Sequence, residues 1–302
     1  MYAIAVHGGA GTWGGEHEAE ALQGVRRAAE AGTAILAGGG SALDAAVAAV
    51  VLLEDDPLFN AGTGSALNVD GEAEMDAGVM VGQGLRSGNV ACLQRVKNPI
   101  LVARKVMEET DHVLLAGEGA LRFARAMGFA DHDPVTPRRL ADWQERRKEG
   151  ARLPQILANH PELAKGTVGA VARDAGGGLA AATSTGGVTL KLAGRVGDTP
   201  LPGAGTYATP SAAASATGRG ELMMRFLATR AVCDRIAAGR SAQQAVDEVV
   251  AEMAASLGPD VGIIALDGNG GIGVAHATPH MPHAFASWYR DGVTARLRVE
   301  PA

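Results

Sequence analysis

The pair Gly166-Thr167 opens the segment GTVGAV, and its chemistry can be stated from the residue types alone. A threonine hydroxyl is a poor nucleophile unless a base sits beside it. If the chain is cut just before Thr167, the new α-amine becomes that base: its reference pKa of about 7.7–8.0 leaves a good fraction neutral near pH 7. Gly166 suits such a cut, because without a Cβ it tolerates a strained backbone and lets the Thr167 hydroxyl approach its carbonyl. Three downstream segments carry complementary groups: TSTGG (Thr183–Gly187), GRVGDTPLPGAG (Gly194–Gly205) and SATGRGE (Ser215–Glu221). They supply a second threonine, an arginine, an aspartate and a Thr-Gly turn. An arginine fork matches an α-carboxylate bidentately, and an aspartate pairs with an α-ammonium. A hydroxyl and an adjacent backbone N–H can face a developing oxyanion, each donor being worth about 3–4 kcal/mol. An amidase acting on aspartyl compounds would need such a set. Taken singly, GTVGAV is only a strand start, and Arg195 with Asp198 is a surface ion pair at i, i+3.

Other motifs compete for the chemistry. Gly9–Gly14, GAGTWG, matches G-x-G-x-x-G after a strand, but a dinucleotide site also needs a second strand ending in an acid about 20 residues on. That region reads as helix, Gly-Gly-Gly, then helix. An α/β-hydrolase reading takes His7-Gly8-Gly9 as an oxyanion loop and Ser184, in ATSTG, as nucleophile. Its elbow should lead into a helix, whereas Gly187-Val188-Thr189-Leu190 is β-like. His276, His280 and His283 could suggest a metal, but Pro279 and Pro282 keep them off one helical face, so a polar loop is expected.

These residues must be positioned by recognisable elements. Tyr2–Val6 reads as a buried strand, Glu16–Ala37 as a helix stopped by Gly38-Gly39-Gly40, and Ser41 with Asp44 as a capping box for a second helix reaching about Leu53. The loop FNAGTGS follows, then a strand over Glu72–Val81 and a helix from Asn98-Pro99. Between Ala130 and Gly166, Pro134, Pro137, Pro154 and Pro161 punctuate a charged stretch that reads as a surface helix and a linker. Its basic cluster (Arg138, Arg139, Arg146, Arg147, Lys148, Arg152) reads as a solvated helix face. From Thr167 the texture changes: TVGAVARD and GLAAATS flank a glycine-rich turn, a hairpin signal. Helices are expected over Gly220–Ala238 and Ser241–Leu257, then strands near Val261–Leu266, Gly271–Ala275 and Ala284–Tyr289. Strands and helices come in blocks, which favours stacked antiparallel sheets flanked by helices over a parallel doubly wound sheet.

Composition bounds the function. The 302 residues are 47% hydrophobic and 4% aromatic, with 42 glycines, so a large core of small side chains is available. The net charge of -6 argues against a nucleic-acid surface. Cys92 and Cys233 form no disulfide framework or zinc pattern. The longest strongly apolar stretch, Ala45–Leu53, is far shorter than the ~18–20 residues that span a bilayer. With no signal segment at MYAIAVHGGAG, a soluble, cytoplasmic protein is expected.

Beyond these local readings, the sequence resembles the plant-type asparaginases, also called isoaspartyl peptidases, which are N-terminal-nucleophile hydrolases. HGGAG at His7, LEDDPLFNAGTGSALNVDGEAEMDAGVM at Leu53–Met80, NPILVARKVMEE at Asn98–Glu109, AGEGALRFA at Ala116–Ala124 and the four motifs after Gly166 carry the resemblance. It implies an α+β fold, a four-layer αββα sandwich, formed as one domain by an α subunit (1–166) and a β subunit (167–302). It implies self-cleavage between Gly166 and Thr167, with Thr167 as nucleophile and Thr185 supporting it. Arg195, helped by the Gly220 backbone, matches the carboxylate clamp; Asp198 matches the ammonium partner; Thr217 and Gly218 match the oxyanion hole; Asn60 lies near the nucleophile. It also implies a structural sodium ion on the backbone carbonyls of Leu53, Glu54, Asp56, Phe59, Ala61 and Thr63, no catalytic cofactor, and a dimer of αβ heterodimers. Substrates would be small: β-aspartyl dipeptides and L-asparagine, which share the aspartyl half and are not ranked by sequence. The segment AHATPHMPHA, Ala275–Ala284, departs from the family pattern. A glycosylasparaginase type shares GRVGD but usually has asparagine at the position of Gly187; TSTGG and TGRGE favour the isoaspartyl branch.

Overall fold

Runs of small apolar residues in Ala3–His7, Val168–Arg173 and Leu179–Thr185 leave every side chain buried, the signature of strands covered on both faces. The computed structural model describes residues 1–15, 17–148, 166–289 and 292–299. These runs are β1, β5 and β6 of an eight-stranded sheet. Its other strands are β2 (Met75–Val81), β3 (Arg86–Leu93), β4 (Leu114–Ala116), β11 (His283–Ser287) and β12 (Thr294–Arg296), in the order β12-β11-β1-β5-β6-β2-β3-β4. The second sheet runs β10-β9-β8-β7: Ile272–His276, Val261–Asp267, Ala212–Gly218 and Thr206–Ala208. All ladders are antiparallel except β3 with β4.

Helices α1 (His17–Ala37), α2 (Ala42–Asp55) and α3 (Pro99–Glu109) cover the outer face of the large sheet. Helix α4 (Gly117–Ala126) packs beside β3 and β4 at the sheet edge, and α5 (Pro137–Lys148) follows it in the chain. After β8 come α6 (Gly220–Phe226), α7 (Ala228–Ala237) and α8 (Ala242–Ser256), of which α7 and α8 cover the small sheet. Between the sheets lie Ala5, Val171, Ala181, Ala213, Ile264 and Leu266, all buried. The result is the expected αββα sandwich. Small residues make the layers close: a Cβ on Gly88 would meet the Ala103 carbonyl oxygen at 2.2 Å, so α3 rests directly on the β3 backbone.

The local signals held at several ends. Ser41 Oγ accepts from the Asp44 N–H at 3.1 Å and donates to its carboxylate, and Ser241 with Gln244 closes a full capping box. After α1 the chain enters α2 rather than a second parallel strand, which removes the dinucleotide reading. Three expectations change. The single helix foreseen over Gly220–Ala238 breaks at Leu227, which is left-handed at φ 57°. The break lets the first amides of α7 reach the turn before β7: Thr229 and Arg230 N–H donate to Ala204 and Gly203, partners that helix N-termini require. The strand β3 was not foreseen, because its alternation is masked by burial on both faces. The basic cluster is not merely a solvated helix face. Arg138 donates to the Pro57 and Leu58 carbonyls, and Arg139 Nε to the Gly64 carbonyl, so α5 is stitched to the loop after α2. The linker expected after Lys148, with Arg152, Pro154 and Pro161, lies outside the described residues.

Among the described residues no helix is long and apolar enough to cross a membrane, and no group of His, Cys, Asp and Glu side chains could hold a metal. The three late histidines do not share a polar loop as expected: His276 ends β10 and His283 begins β11, where they contact the Thr278 and Met281 carbonyls, and His280 between them accepts the distant Trp13 N–H at Nδ1.

Candidate active site

The hairpin register alone brings the two threonines together. Val168 pairs with Ser184 across β5 and β6, so Thr167, one residue before β5, stands opposite Thr185, the last residue of β6. Thr167 Oγ1 donates to Thr185 Oγ1 at 3.1 Å, and Thr185 Oγ1 also accepts the Gly187 N–H at 3.0 Å. Both side chains are buried, at 7% and 3% exposure. One small cleft is walled by Thr167, Thr185, Gly187, Val188, Arg195, Asp198, Gly218 and Gly220. Six positions singled out in the sequence therefore meet in space.

The Arg195–Asp198 segment is irregular and is hung on β2. Asp76 of β2 and Glu74, just before the strand, receive amides of this segment and of Gly194 before it. The Gly194 N–H donates to the Glu74 carboxylate at 3.0 Å, and the Gly197 N–H to Asp76 Oδ2 at 2.9 Å. The guanidinium of Arg195 is held by Glu221 in the first turn of α6: Nε and Nη2 both donate to Oε1, at 3.0 and 2.9 Å. Asp198 is buried, and its Oδ2 has no hydrogen-bond partner among the described residues. Burial pushes its carboxyl up to about 7, against the opposing pull of Arg195. Gly220 fits between them: a Cβ there would lie 2.8 Å from Asp198 Oδ1 and 2.9 Å from Arg195 Nη2.

Gly218 ends β8 at φ +131°, where a Cβ would strike the Asp260 carbonyl at 2.2 Å. Thr217, the residue before it, is buried. Its hydroxyl oxygen accepts the Ala10 N–H at 3.1 Å, tying β8 to the HGGAG loop. Asn60 is a hub. Its side chain accepts from Ala66 N–H at 2.7 Å and donates to the Gly187 carbonyl at 2.6 Å, and its backbone carbonyl accepts from Gly186 N–H. It also presses on Gly166: a Cβ on Gly166 would come within 2.5 Å of Asn60 Cβ. From the other side, a Cβ on Gly9 would come within 2.5 Å of Gly166 Cα. With φ at +113°, Gly166 occupies a conformation and a gap that only glycine fits.

The α/β-hydrolase reading is corrected. Ser184 points to the helix side of the sheet, where its hydroxyl donates to Glu54 Oε1 at 2.6 Å. Glu54 also accepts the Ile100 N–H, and burial raises its carboxyl to about 8. Among the described residues no histidine joins this pair. His7 sits between the sheets in a chain with Ser215 at 2.9 Å and Thr183 at 2.8 Å. Burial lowers it to about 3, outweighing a backbone contact with Thr167, so it is neutral at physiological pH.

The loop after α2 curls its carbonyls inward. A Cβ on Gly62 would meet the Glu54 carbonyl at 2.6 Å, and one on Gly64 would meet Pro57 and Phe59 carbonyls at 2.6 and 3.0 Å. Leu53 has no helical donor four residues on, because that residue is Pro57. Two of the six expected carbonyls also serve backbone donors, Glu54 to Thr63 and Asp56 to Phe59.

Sequence reasoning missed Glu74, Asp76 and Glu221. Glu221 lies 26 residues from Arg195, and no local spacing announces that pairing. The alternate acids of EAEMD, leading into β2, were the available signal that two carboxylates gather at the start of that strand.

Comparison with known proteins accords with this arrangement. The asparaginase family's sequence profile matches residues 1–294. A protein of Thermococcus kodakarensis named plant-type L-asparaginase is 49% identical over 97% of this chain and 98% of its own length. Danio rerio has an isoaspartyl peptidase/L-asparaginase 44% identical over 88% of this chain and 86% of its own. An isoaspartyl peptidase of Salmonella typhimurium is 44% identical over 93% and 94%. The motifs that meet in the cleft thus sit within a match running almost end to end, and the chain belongs to the asparaginase family.

Proposed function

We propose that the protein is an autoprocessing threonine amidohydrolase that releases L-aspartate from β-aspartyl dipeptides and from L-asparagine. The observation that carries this reading is the cleft in which the Thr167–Thr185 hydroxyl pair faces Arg195, Asp198, Gly218 and Gly220. Maturation starts with attack of Thr167 Oγ1 on the Gly166 carbonyl carbon. The acyl group moves from nitrogen to oxygen, and water hydrolyses the ester to leave pieces 1–166 and 167–302 with a free amine on Thr167. Squeezing of Gly166 between Gly9 and Asn60 supports this site of cleavage.

In turnover, the substrate α-carboxylate binds the guanidinium edge of Arg195 that Glu221 leaves open, beside the Gly220 backbone, and the α-ammonium pairs with Asp198. Thr167 Oγ1 attacks the side-chain amide carbon as the Thr167 amine takes the hydroxyl proton. The oxyanion meets the Gly218 N–H and the Thr217 hydroxyl, whose oxygen already accepts from Ala10 and whose proton remains to donate. That amine, now protonated, passes the proton to the departing nitrogen. Water then cleaves the acyl-enzyme to L-aspartate and restores Thr167. Thr185 orients the nucleophile, and Asn60 fixes the Gly186-Gly187 turn beside it.

A sodium ion would be held by the carbonyl oxygens of Leu53, Glu54, Asp56, Phe59, Ala61 and Thr63 and would supply structural charge to the loop bearing Asn60; the close approach of the Glu54 and Phe59 carbonyls to Gly62 and Gly64 supports this. The working form is a dimer of αβ heterodimers in the cytoplasm. Intact mass and denaturing electrophoresis of purified protein test the reading. Two pieces should appear, the smaller beginning Thr-Val-Gly-Ala, and L-asparagine should be hydrolysed. An intact chain that hydrolyses asparagine would sink the mechanism; preferential release of glycan from N4-glycosyl-asparagine would favour the glycosylasparaginase type instead.

A further inference from the structure

Beside Gly166, on a different set of walls from the Arg195 cleft, is a second cavity of about 460 Å³, within the size range of small-molecule sites. It abuts the cleft twice along the chain: Gly166 lines it where Thr167 lines the cleft, and Thr189 lines it next to Val188. Asn60, Trp13 and three arginines of α5 complete the part that matters here. Two of those arginines are occupied. Arg138 donates to the Pro57 and Leu58 carbonyls, and Arg146 pairs with Asp142, which also lines the cavity, at 3.2 Å. Arg139 differs. Its Nε donates to the Gly64 carbonyl, and among the described residues no carboxylate pairs with it. A guanidinium has five N–H donors, so the end facing the cavity retains donors for an incoming group. Burial lowers its pKa only to about 10, so it stays charged at neutral pH. Arg139 shares the field of Asp142 with Arg138 and Arg146, so among the described residues of this wall three guanidiniums face one carboxylate, and an incoming anion is favoured there.

We propose that Arg139 receives the terminal carboxylate of the residue that leaves from a β-aspartyl peptide. This rests on the function proposed above. Arg195 and Asp198 take both charged groups of the aspartyl half, so the leaving half extends away from them, and the cavity that begins at Gly166 lies next to the nucleophile. Trp13 is fixed there by its Nε1 bond to the Gly9 carbonyl and by its ring against Phe59 at 5.8 Å, so it gives the leaving side chain an apolar wall. L-Asparagine, with no leaving residue, does not use this site. Arg139 is thus a specificity residue for peptides.

The experiment compares kcat/KM for β-aspartyl-leucine and for its C-terminal amide, with L-asparagine as the third substrate, in matured wild type, Arg139→Gln and Arg139→Lys. The acid-to-amide ratio is independent of how much enzyme is folded. It should exceed about tenfold in the wild type, collapse towards one in Arg139→Gln and be partly kept in Arg139→Lys, in line with the worth of a charge-assisted bidentate contact. A wild-type ratio near one, which would leave the cavity to the carboxylate that cleavage creates at Gly166, overturns the proposal. So does an unchanged ratio in Arg139→Gln. A wild type that turns over none of the three substrates would instead overturn the amidohydrolase reading itself.

Discussion

At the scale of single residues, the site depends on which groups are charged. Asp198 is drawn towards neutrality by burial, with its carboxyl raised to about 7. Only the ionised form can pair with a substrate ammonium. Below pH 7 each unit of acidification should therefore raise KM for L-asparagine about tenfold, while above pH 8 KM should level off. Steady-state kinetics from pH 5 to 9 check this, and a KM flat across that range would mean that Asp198 does not bind the ammonium as its carboxylate. Thr167 itself serves both cleavage and turnover. Thr167→Ala should give a folded precursor that does neither, and Thr167→Ser slower versions of both. Thr167→Cys should mature, since a thiol can perform the acyl shift. It should be a poor amidase, because a thiolate leaves the tetrahedral intermediate more readily than an amine does. Maturation of Thr167→Ala at the wild-type rate would move the scissile bond elsewhere.

At the scale of elements, the β5–β6 hairpin joins the site to a buried carboxyl on its opposite face. Along β6, Thr185 meets the nucleophile and Ser184 meets Glu54 of α2. Folded Glu54 keeps its proton up to about pH 8, whereas an unfolded glutamate releases it near about 4.3. Between those values the folded state binds more protons, so stability falls as pH rises from about 4.3 to 8 and the loss is complete above 8. Glu54→Gln keeps an oxygen for Ser184 and for the Ile100 N–H and removes the titration. Its thermal midpoint should fall less than that of the wild type between pH 5 and 8. Equal slopes in a melting series would show that Glu54 does not govern this dependence.

On the scale of the whole molecule, neither proposed piece has its own sandwich. The large sheet orders its strands β12-β11-β1-β5-β6-β2-β3-β4, so strands from before Gly166 lie on both sides of the β5–β6 pair that follows it. Cleavage should therefore leave one folded body whose pieces part only on denaturation. Arg195 separates binding from self-processing across this body. Arg195→Ala should cut kcat/KM for β-aspartyl dipeptides by about 100-fold or more, since bonds to charged groups are worth about 1.5–3 kcal/mol each. Self-cleavage uses no free substrate carboxylate and should persist. Matched rates of maturation and turnover check the split; full turnover in a folded, matured Arg195→Ala protein would remove the residue from the site.

Much of this was legible in one dimension. Gly166-Thr167, the Thr185 turn and the Arg195–Asp198 segment announce themselves because glycines and polar residues recur where burial alone would select apolar ones, and the β5–β6 hairpin places Thr167 opposite Thr185 through a register set by a short local turn. The block order of strands and helices likewise suffices for layered antiparallel sheets. What the chain order could not supply are contacts between distant segments. Arg195 is held by Glu221 and its loop by Glu74 and Asp76; Ser184 is turned to Glu54 on the helix side of the sheet; and α5, whose arginines read as a solvated face, is fastened to the loop around Asn60. Local propensity records what each segment prefers alone, but a buried carboxylate or guanidinium is satisfied by whatever donor or acceptor the packed layers bring to it, and that partner is fixed only when the two sheets and their helices close together.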